Sequence, residues 1–198
     1  LGDEDHGCWI LRPSDPEARA TRHYDDSTFT LVTRWECADG IAEVRELLAV
    51  TDERRGGSRT SDLVRRVVGV EGTVEFDHSI RFRFDYARSL PWVRQRRSVE
   101  VPELVAIAGH DAVSLRGASL HADDHVHRGT CRVAPGETLD LVLSWHPSAE
   151  SAPPPLDVDD AIAQTHEWWQ SWADRIDAPP EYRDEVLRSL LILRALTH

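Results

Sequence analysis

Apolar and polar residues alternate without a phase slip from Thr73 to Phe84. Val74, Phe76, His78, Ile80, Phe82 and Phe84 fall on one face; Thr73, Glu75, Asp77, Ser79, Arg81 and Arg83 fall on the other. A sustained period of two predicts one long, half-buried strand. Thr138 to Trp145 repeats the pattern with Leu139, Leu141, Leu143 and Trp145 on one side, and Thr28 to Glu36 does so with Phe29, Leu31 and Trp35 inward. Leu63–Val70, Leu104–Ala108 and Ala112–Arg116 read as shorter strands. Turn formers separate these runs at Asp39-Gly40, Gly56-Gly57, Glu71-Gly72, Gly109-His110-Asp111 and Pro135-Gly136. Many short strands, each polar on one face, predict a mostly β protein built as an antiparallel β-sandwich.

The pattern changes near residue 150. Ser148 to Pro155 ends in three consecutive prolines, a stiff connector that cannot sit in a helix interior or a central strand. Beyond it Val158, Ile162, Thr165, Trp169, Trp172 and Ile176 recur at steps of four and three, one face of a helix. Asp157 or Asp159 is placed to cap its start, Pro179-Pro180 to stop it, and Pro180 to open the next. In that next helix Tyr182, Val186, Leu190, Leu193 and Thr197 form a stripe, with Leu187 and Leu191 beside it. The expected organisation is a sandwich over 1–147, a proline-rich linker and helix over 148–179, and a further helix over 180–198. The apolar pattern is still running at His198 and the chain opens on Leu1, so the sequence reads as a segment cut from a longer protein at both ends.

Composition narrows the function classes. The formal charge is −12, and all 23 basic residues are arginine. That balance argues against a nucleic-acid or anionic-membrane partner, which clustered cations would serve. No apolar run approaches the ~20 residues of a membrane-spanning helix, and no signal peptide is visible. Cys8, Cys37 and Cys131 are odd in number and lack zinc-ligand spacing, so reduced thiols and a cytoplasmic location are expected.

Several segments, in order, resemble glycoside hydrolase family 15, which comprises glucoamylases, glucodextranases and one branch of trehalases. His23-Tyr24-Asp25-Asp26-Ser27-Thr28 resembles the family's Y-x-D/P-D-T strand opening. Ala38-Asp39-Gly40 with Ile41 to Leu47 resembles the hairpin that follows. Asp62-Leu63-Val64-Arg65-Arg66-Val67, Gly69-Val70-Glu71-Gly72 and Phe82-Arg83-Phe84-Asp85-Tyr86 resemble the LVR-x-V-x-G-x-x-G … F-R-F-D-Y run. Trp168-Trp169-x-x-Trp172 resembles the linker helix, and Glu181 to His198 the first barrel helix. One departure is local. Where the family tends to read V-T-D-F/L-M-P, this chain has Glu46 for the Asp and Ala49 for the Pro.

The resemblance implies a β-supersandwich, a linker and the opening of an (α/α)6 barrel. It also implies that the whole protein is an inverting α-glucoside hydrolase of trehalase or glucoamylase type. Its substrate would be trehalose or a maltooligosaccharide, bound through the absent barrel, and it would need no metal or organic cofactor. Both catalytic glutamates of the family would lie beyond His198, so no catalytic residue is assigned within the chain, and no substrate-binding residue either. The alternative class is a stand-alone carbohydrate-binding or structural β-sandwich.

Candidate chemistry within the chain is weighed residue by residue. His121, Asp123, His125 and His127 form the densest ligand-type cluster, with His125 and His127 expected on one strand face, but His-x-His alone is a weak metal signal and a solvated turn is preferred. No metal site is therefore assigned. Trp92 is a candidate sugar platform, with packing at the sandwich–barrel interface preferred. Trp168, Trp169 and Trp172 stand at helical spacing, and Trp35 and Trp145 end apolar strand faces; all five read as core. His78 reads as a hydrogen-bonded core histidine. Asp25-Asp26, Asp123-Asp124, Asp159-Asp160 and Asp184-Glu185, together with Glu103, read as solvated or helix-start charges, and Arg94, Arg96 and Arg97 as an exposed or ion-paired edge. No Ser/His/Asp nucleophile signature is visible.

Overall fold

In the computed structural model, which describes residues 3–50, 54–55, 58–96 and 101–197, two antiparallel sheets of unequal size face each other. The strands in chain order are β1 Cys8–Pro13, β2 Arg19–Tyr24, β3 Leu31–Cys37, β4 Gly40–Leu48, β5 Arg54–Arg55, β6 Ser58–Arg59, β7 Ser61–Gly72, β8 Val74–Arg81, β9 Trp92–Arg96, β10 Glu103–Ala108, β11 Asp111–Arg116, β12 His121–Asp123, β13 Val126–Val133 and β14 Thr138–Pro147. The large sheet runs β2-β3-β4-β7-β14-β11-β10-β9, the small one β1-β8-β13-β12, and β5-β6 is a separate hairpin. Two helices follow, α1 Val158–Ala173 and α2 Arg183–Leu196.

Alternation decides which residues meet between the sheets. β8 buries every second residue, Val74, Phe76, His78 and Ile80, as its period of two demands. Val74 and Phe76 join Ala42 and Val44 of β4, Val67 of β7 and Val133 of β13 in one cluster. Ile80 and Phe82 join Leu104, Ala106, Leu115 and Leu120 in a second. Each Val, Leu, Ile or Phe among them removed from water contributes about 1.5–3 kcal/mol. The strand itself stops at Arg81, short of the sequence expectation. Asp85, Tyr86 and Ala87 all take positive φ, and this left-handed turn, closed by the Phe84–Ser89 bridge, folds the chain back.

The outer face of the large sheet is covered by α1. Leu47, Val64 and Val142 pack against Val158 there, with Leu156 and Ile162 beside them. Asp157 caps the helix by accepting the Asp160 N–H at 3.1 Å. Arg66 on β7 fixes its first turn: the guanidinium holds Asp140 of β14 at 2.6 and 2.8 Å and Asp159 at 2.6 Å. These carboxylates raise the Arg66 pKa above its ordinary value, against the opposing effect of burial.

The helices depart from the sequence reading in three ways. α1 ends at Ala173, not at Pro179, so Ile176 lies outside it. Its buried face is Val158, Ala161, Thr165, Trp169 and Ala173. In α2 the fully buried residue is Leu191, while Leu193 is 57% and Tyr182 64% exposed. Of the expected stripe Val186 and Leu190 are half-buried and its two ends exposed, and the most buried position is Leu191, which the sequence places beside it. Phe29 also lies outside the strand assigned to it; it precedes β3 and stacks on Trp169, ring centroids 5.8 Å apart.

Candidate functional site

The large sheet extends beyond the small one, and a cavity of about 280 Å³ opens where its inner face meets the edge strand β1. It is lined by Trp9, Ile10 and Leu11 of β1, Arg22 of β2, Thr33 and Trp35 of β3, Val44 and Glu46 of β4, and Arg65 of β7. Alternation places these groups. Thr33 and Trp35 share a face of β3, and Val44 and Glu46 share one of β4. Glu46 and Arg65 are direct cross-strand partners. Their ion pair closes at 2.7 Å with the side chains 26% and 17% exposed. Burial pulls the Arg65 guanidinium below its ordinary pKa, and Glu46 opposes that pull.

Trp9 is held from both ends. Its indole N–H donates to His78 Nε2 at 2.6 Å, and its carbonyl accepts from Arg65 Nη1 at 2.9 Å. The Arg65 guanidinium also lies over the indole, 4.2 Å from the ring centroid. Because Nε2 accepts, His78 is neutral with its proton on Nδ1, and that atom is buried with no hydrogen-bond partner among the described residues. Burial, and then the Arg65 charge, push the His78 pKa down to about 4. His78 is thus a hydrogen-bonded interior histidine that positions Trp9.

The residues singled out in the sequence lie elsewhere. Asp124 and His125 are the two central residues of the β12–β13 turn, with φ of 40° and 62°. His125 therefore shares no strand face with His127, contrary to expectation. Two consecutive left-handed residues are what a tight hairpin of this twist demands. His127 instead points at Phe82, ring centroids 6.4 Å apart, and burial lowers its pKa. Among the described residues no group of His, Cys, Asp or Glu could hold a metal ion.

Trp92 opens β9, 73% exposed, with the Arg94 guanidinium 4.8 Å from its ring. Trp169 is buried, edge-on to Trp168 and Trp172. Trp35 packs on the first core cluster, and Trp145 donates to Asp111 at 2.8 Å. Asp25 faces Arg45 at 3.4 Å, and Asp123 faces Arg128 at 3.2 Å. Asp159-Asp160 and Asp184-Glu185 occupy first turns of helices. Glu103 corrects the reading of it as solvated: it is buried between Arg116 at 2.6 Å and Arg96 at 3.6 Å. Arg97 and the Gly56-Gly57 turn lie outside the described residues.

One polar row was not anticipated. Asp62, Ser144 and Ser114 stand side by side across β7, β14 and β11, with His146 two residues from Ser144. The Ser144 hydroxyl donates to Asp62. All four are at most 3% exposed, so no substrate reaches them; the row is interior structure.

No protein-family model matches the chain, and no curated protein matches its sequence. Among the described residues no helix is long and apolar enough to cross a membrane.

Proposed function

We propose that the chain is the β-sandwich scaffold of an inverting α-glucoside hydrolase of trehalase or glucoamylase type, similar to glycoside hydrolase family 15. The observation that carries this reading is the Glu46–Arg65 pair. It joins two of the segments on which the resemblance rests, the hairpin after Asp39-Gly40 and the Leu63-Val64-Arg65 run. A carboxylate at position 46 neutralises an arginine enclosed between the sheets, which accounts for an acid, Glu here for the family's Asp, at that place. The exposed apolar side of α2, Leu193 and Leu196 among others, adds support as a surface for further barrel helices.

In such an enzyme one glutamic acid protonates the glycosidic oxygen and a second activates water on the opposite face, across about 6.5–9.5 Å. On this reading both belong to chain beyond His198. The test compares this chain with the full product of its gene on trehalose and maltose between about pH 4 and 8. The full product should release glucose first as the β-anomer, as inversion requires, and residues 1–198 alone should release none. Turnover by the 198 residues that vanished in Asp123→Asn or Glu103→Gln would overturn the reading.

A further inference from the structure

We propose that Glu103 and Arg116 latch the proline connector to the large sheet, and that release of this latch lets α1 and α2 come away from the sandwich as one unit while both sheets stay folded. The latch is independent of the hydrolase reading.

The chemistry of the connector calls for such a group. Residues 151–157 form neither helix nor strand. Pro153, Pro154 and Pro155 have no N–H, so this stretch offers acceptors and cannot pair as a central strand. Its complement is a group that only donates, and a guanidinium carries five N–H donors in a fixed fork. Arg116 supplies that fork from the end of β11. Its Nη2 donates to the Pro153 carbonyl at 2.8 Å and its Nη1 to the Pro154 carbonyl at 3.4 Å. Glu103, the cross-strand partner of Arg116 on β10, meets Nη2 at 2.6 Å. With the two side chains 5% and 14% exposed, each charge holds the other in place.

The same device occurs a second time beside it. Asp140 is the cross-strand partner of Arg66 and orients it, and the remaining donors of Arg66 reach Asp159 in the first turn of α1. The two arginines are neighbours through Gly117, where a Cβ would lie 1.8 Å from the Asp140 carbonyl oxygen. Between them a cavity of about 240 Å³ is bordered by Val101 and Val142 on one side and by Pro155 and Leu156 on the other. The connector is thus pinned at two points by charged hydrogen bonds and stands off the sheet between them.

What lies beyond the connector can leave without unpairing a strand. Val158 packs on Leu47, Val64 and Val142, Thr165 accepts from Val50, Trp169 stacks on Phe29, and Arg188 donates to the Thr28 carbonyl at 3.4 Å. None of these contacts belongs to a strand ladder. Segments joined in this way open as a local unit at a lower free energy than the whole fold.

The experiment is hydrogen exchange read by mass spectrometry on the chain, on the double variant Glu103→Leu/Arg116→Met, and on Arg132→Ala, whose partner Glu75 lies on the small sheet. The double substitution removes both charges together and leaves neither buried alone. Prolines carry no amide, so the amides of α1 and α2 report. In the double variant they should exchange about tenfold or more faster, with β8 and β13 unchanged, and Arg132→Ala should leave both helices as they were. If the double variant does not fold, Arg116→Lys decides: it keeps a cation beside Glu103, loses the fork, and should speed the same helices by a smaller factor. Unchanged exchange in the helices would overturn the proposal. So would equal acceleration of helices and strands, which would make the chain one cooperative unit, or acceleration in α1 without α2.

Discussion

Val50 donates its backbone N–H to the Thr165 hydroxyl at 2.9 Å, tying the chain just past β4 to the buried face of α1 across 115 residues of sequence. Thr165 is fully buried, so no water replaces that acceptor. Thr165→Val keeps the shape and leaves a stranded donor, and it should cost about 1–3 kcal/mol. Urea unfolding gives the value; a loss within error of zero would mean that α1 docks by apolar contact alone.

Arg66 should matter more than either carboxylate it holds. It is 16% exposed, Asp140 28% and Asp159 84%. Arg66→Met leaves Asp140 half-buried and unpaired, for an expected loss of about 2–4 kcal/mol. Asp159→Asn should lose less than about 1 kcal/mol because that carboxylate is solvated. A double-mutant cycle on Arg66 and Asp140 measures the coupling, and equal losses for the Arg66 and Asp159 variants would contradict this ranking.

Acid should destabilise the fold through His78. Its pKa is about 4 in the folded chain against an ordinary 6.5. Between these values the unfolded chain binds a proton that the folded chain refuses. Stability is therefore fully present above about pH 6.5, falls as pH drops towards 4, and levels off below that. The difference amounts to roughly 3 kcal/mol. His78→Gln retains an acceptor for Trp9 and cannot charge. Its stability should fall less than the parent's between pH 7 and 4.5, by about 2 kcal/mol. Parallel acid losses in the two proteins would remove His78 as the cause.

A methyl group has no room at Gly69. A Cβ there would lie 2.0 Å from the Ala134 carbonyl oxygen, because the β13–β14 turn bonds to Gly69 through Gly136 N–H at 3.0 Å. Gly69→Ala must push two backbones apart, and a loss of about 2–3 kcal/mol is expected from the thermal midpoint. Gly109, at φ +59° with nothing within 4 Å of a Cβ, is the opposite case, in which Gly109→Ala adds backbone strain and no clash.

What could be read from the sequence was what local period encodes. β8 and β14 each bury one face, so their alternation survives in the residue string. β2 buries neither face, and Arg-Ala-Thr-Arg-His-Tyr carries no period to detect. β1 was hidden by its proline and an unbroken apolar start, and β13 by Arg128, Gly129 and Arg132. In α2 the sequence could not single out Leu191 as the buried centre, because its apolar residues run round much of the helix and tertiary contact makes the choice. The cleft was illegible for a different reason. Its members come from five strands between residues 9 and 65, and register alone brings Glu46 opposite Arg65. The signal available was the pair of period positions, an acid on β4 and an arginine on β7, each on its strand's inward face.

The open ends of the large sheet carry a further meaning. Among the described residues β2 and β9 are its outermost strands, edges that a second extended chain could meet. Arg19 and Arg22 stand on one rim, Arg94 and Arg96 on the other. Copies approaching rim to rim bring arginine against arginine, although the molecule as a whole is strongly acidic. Local like-charge repulsion thus opposes edge-to-edge pairing at both rims of the large sheet, and concentrated salt is the condition that weakens it.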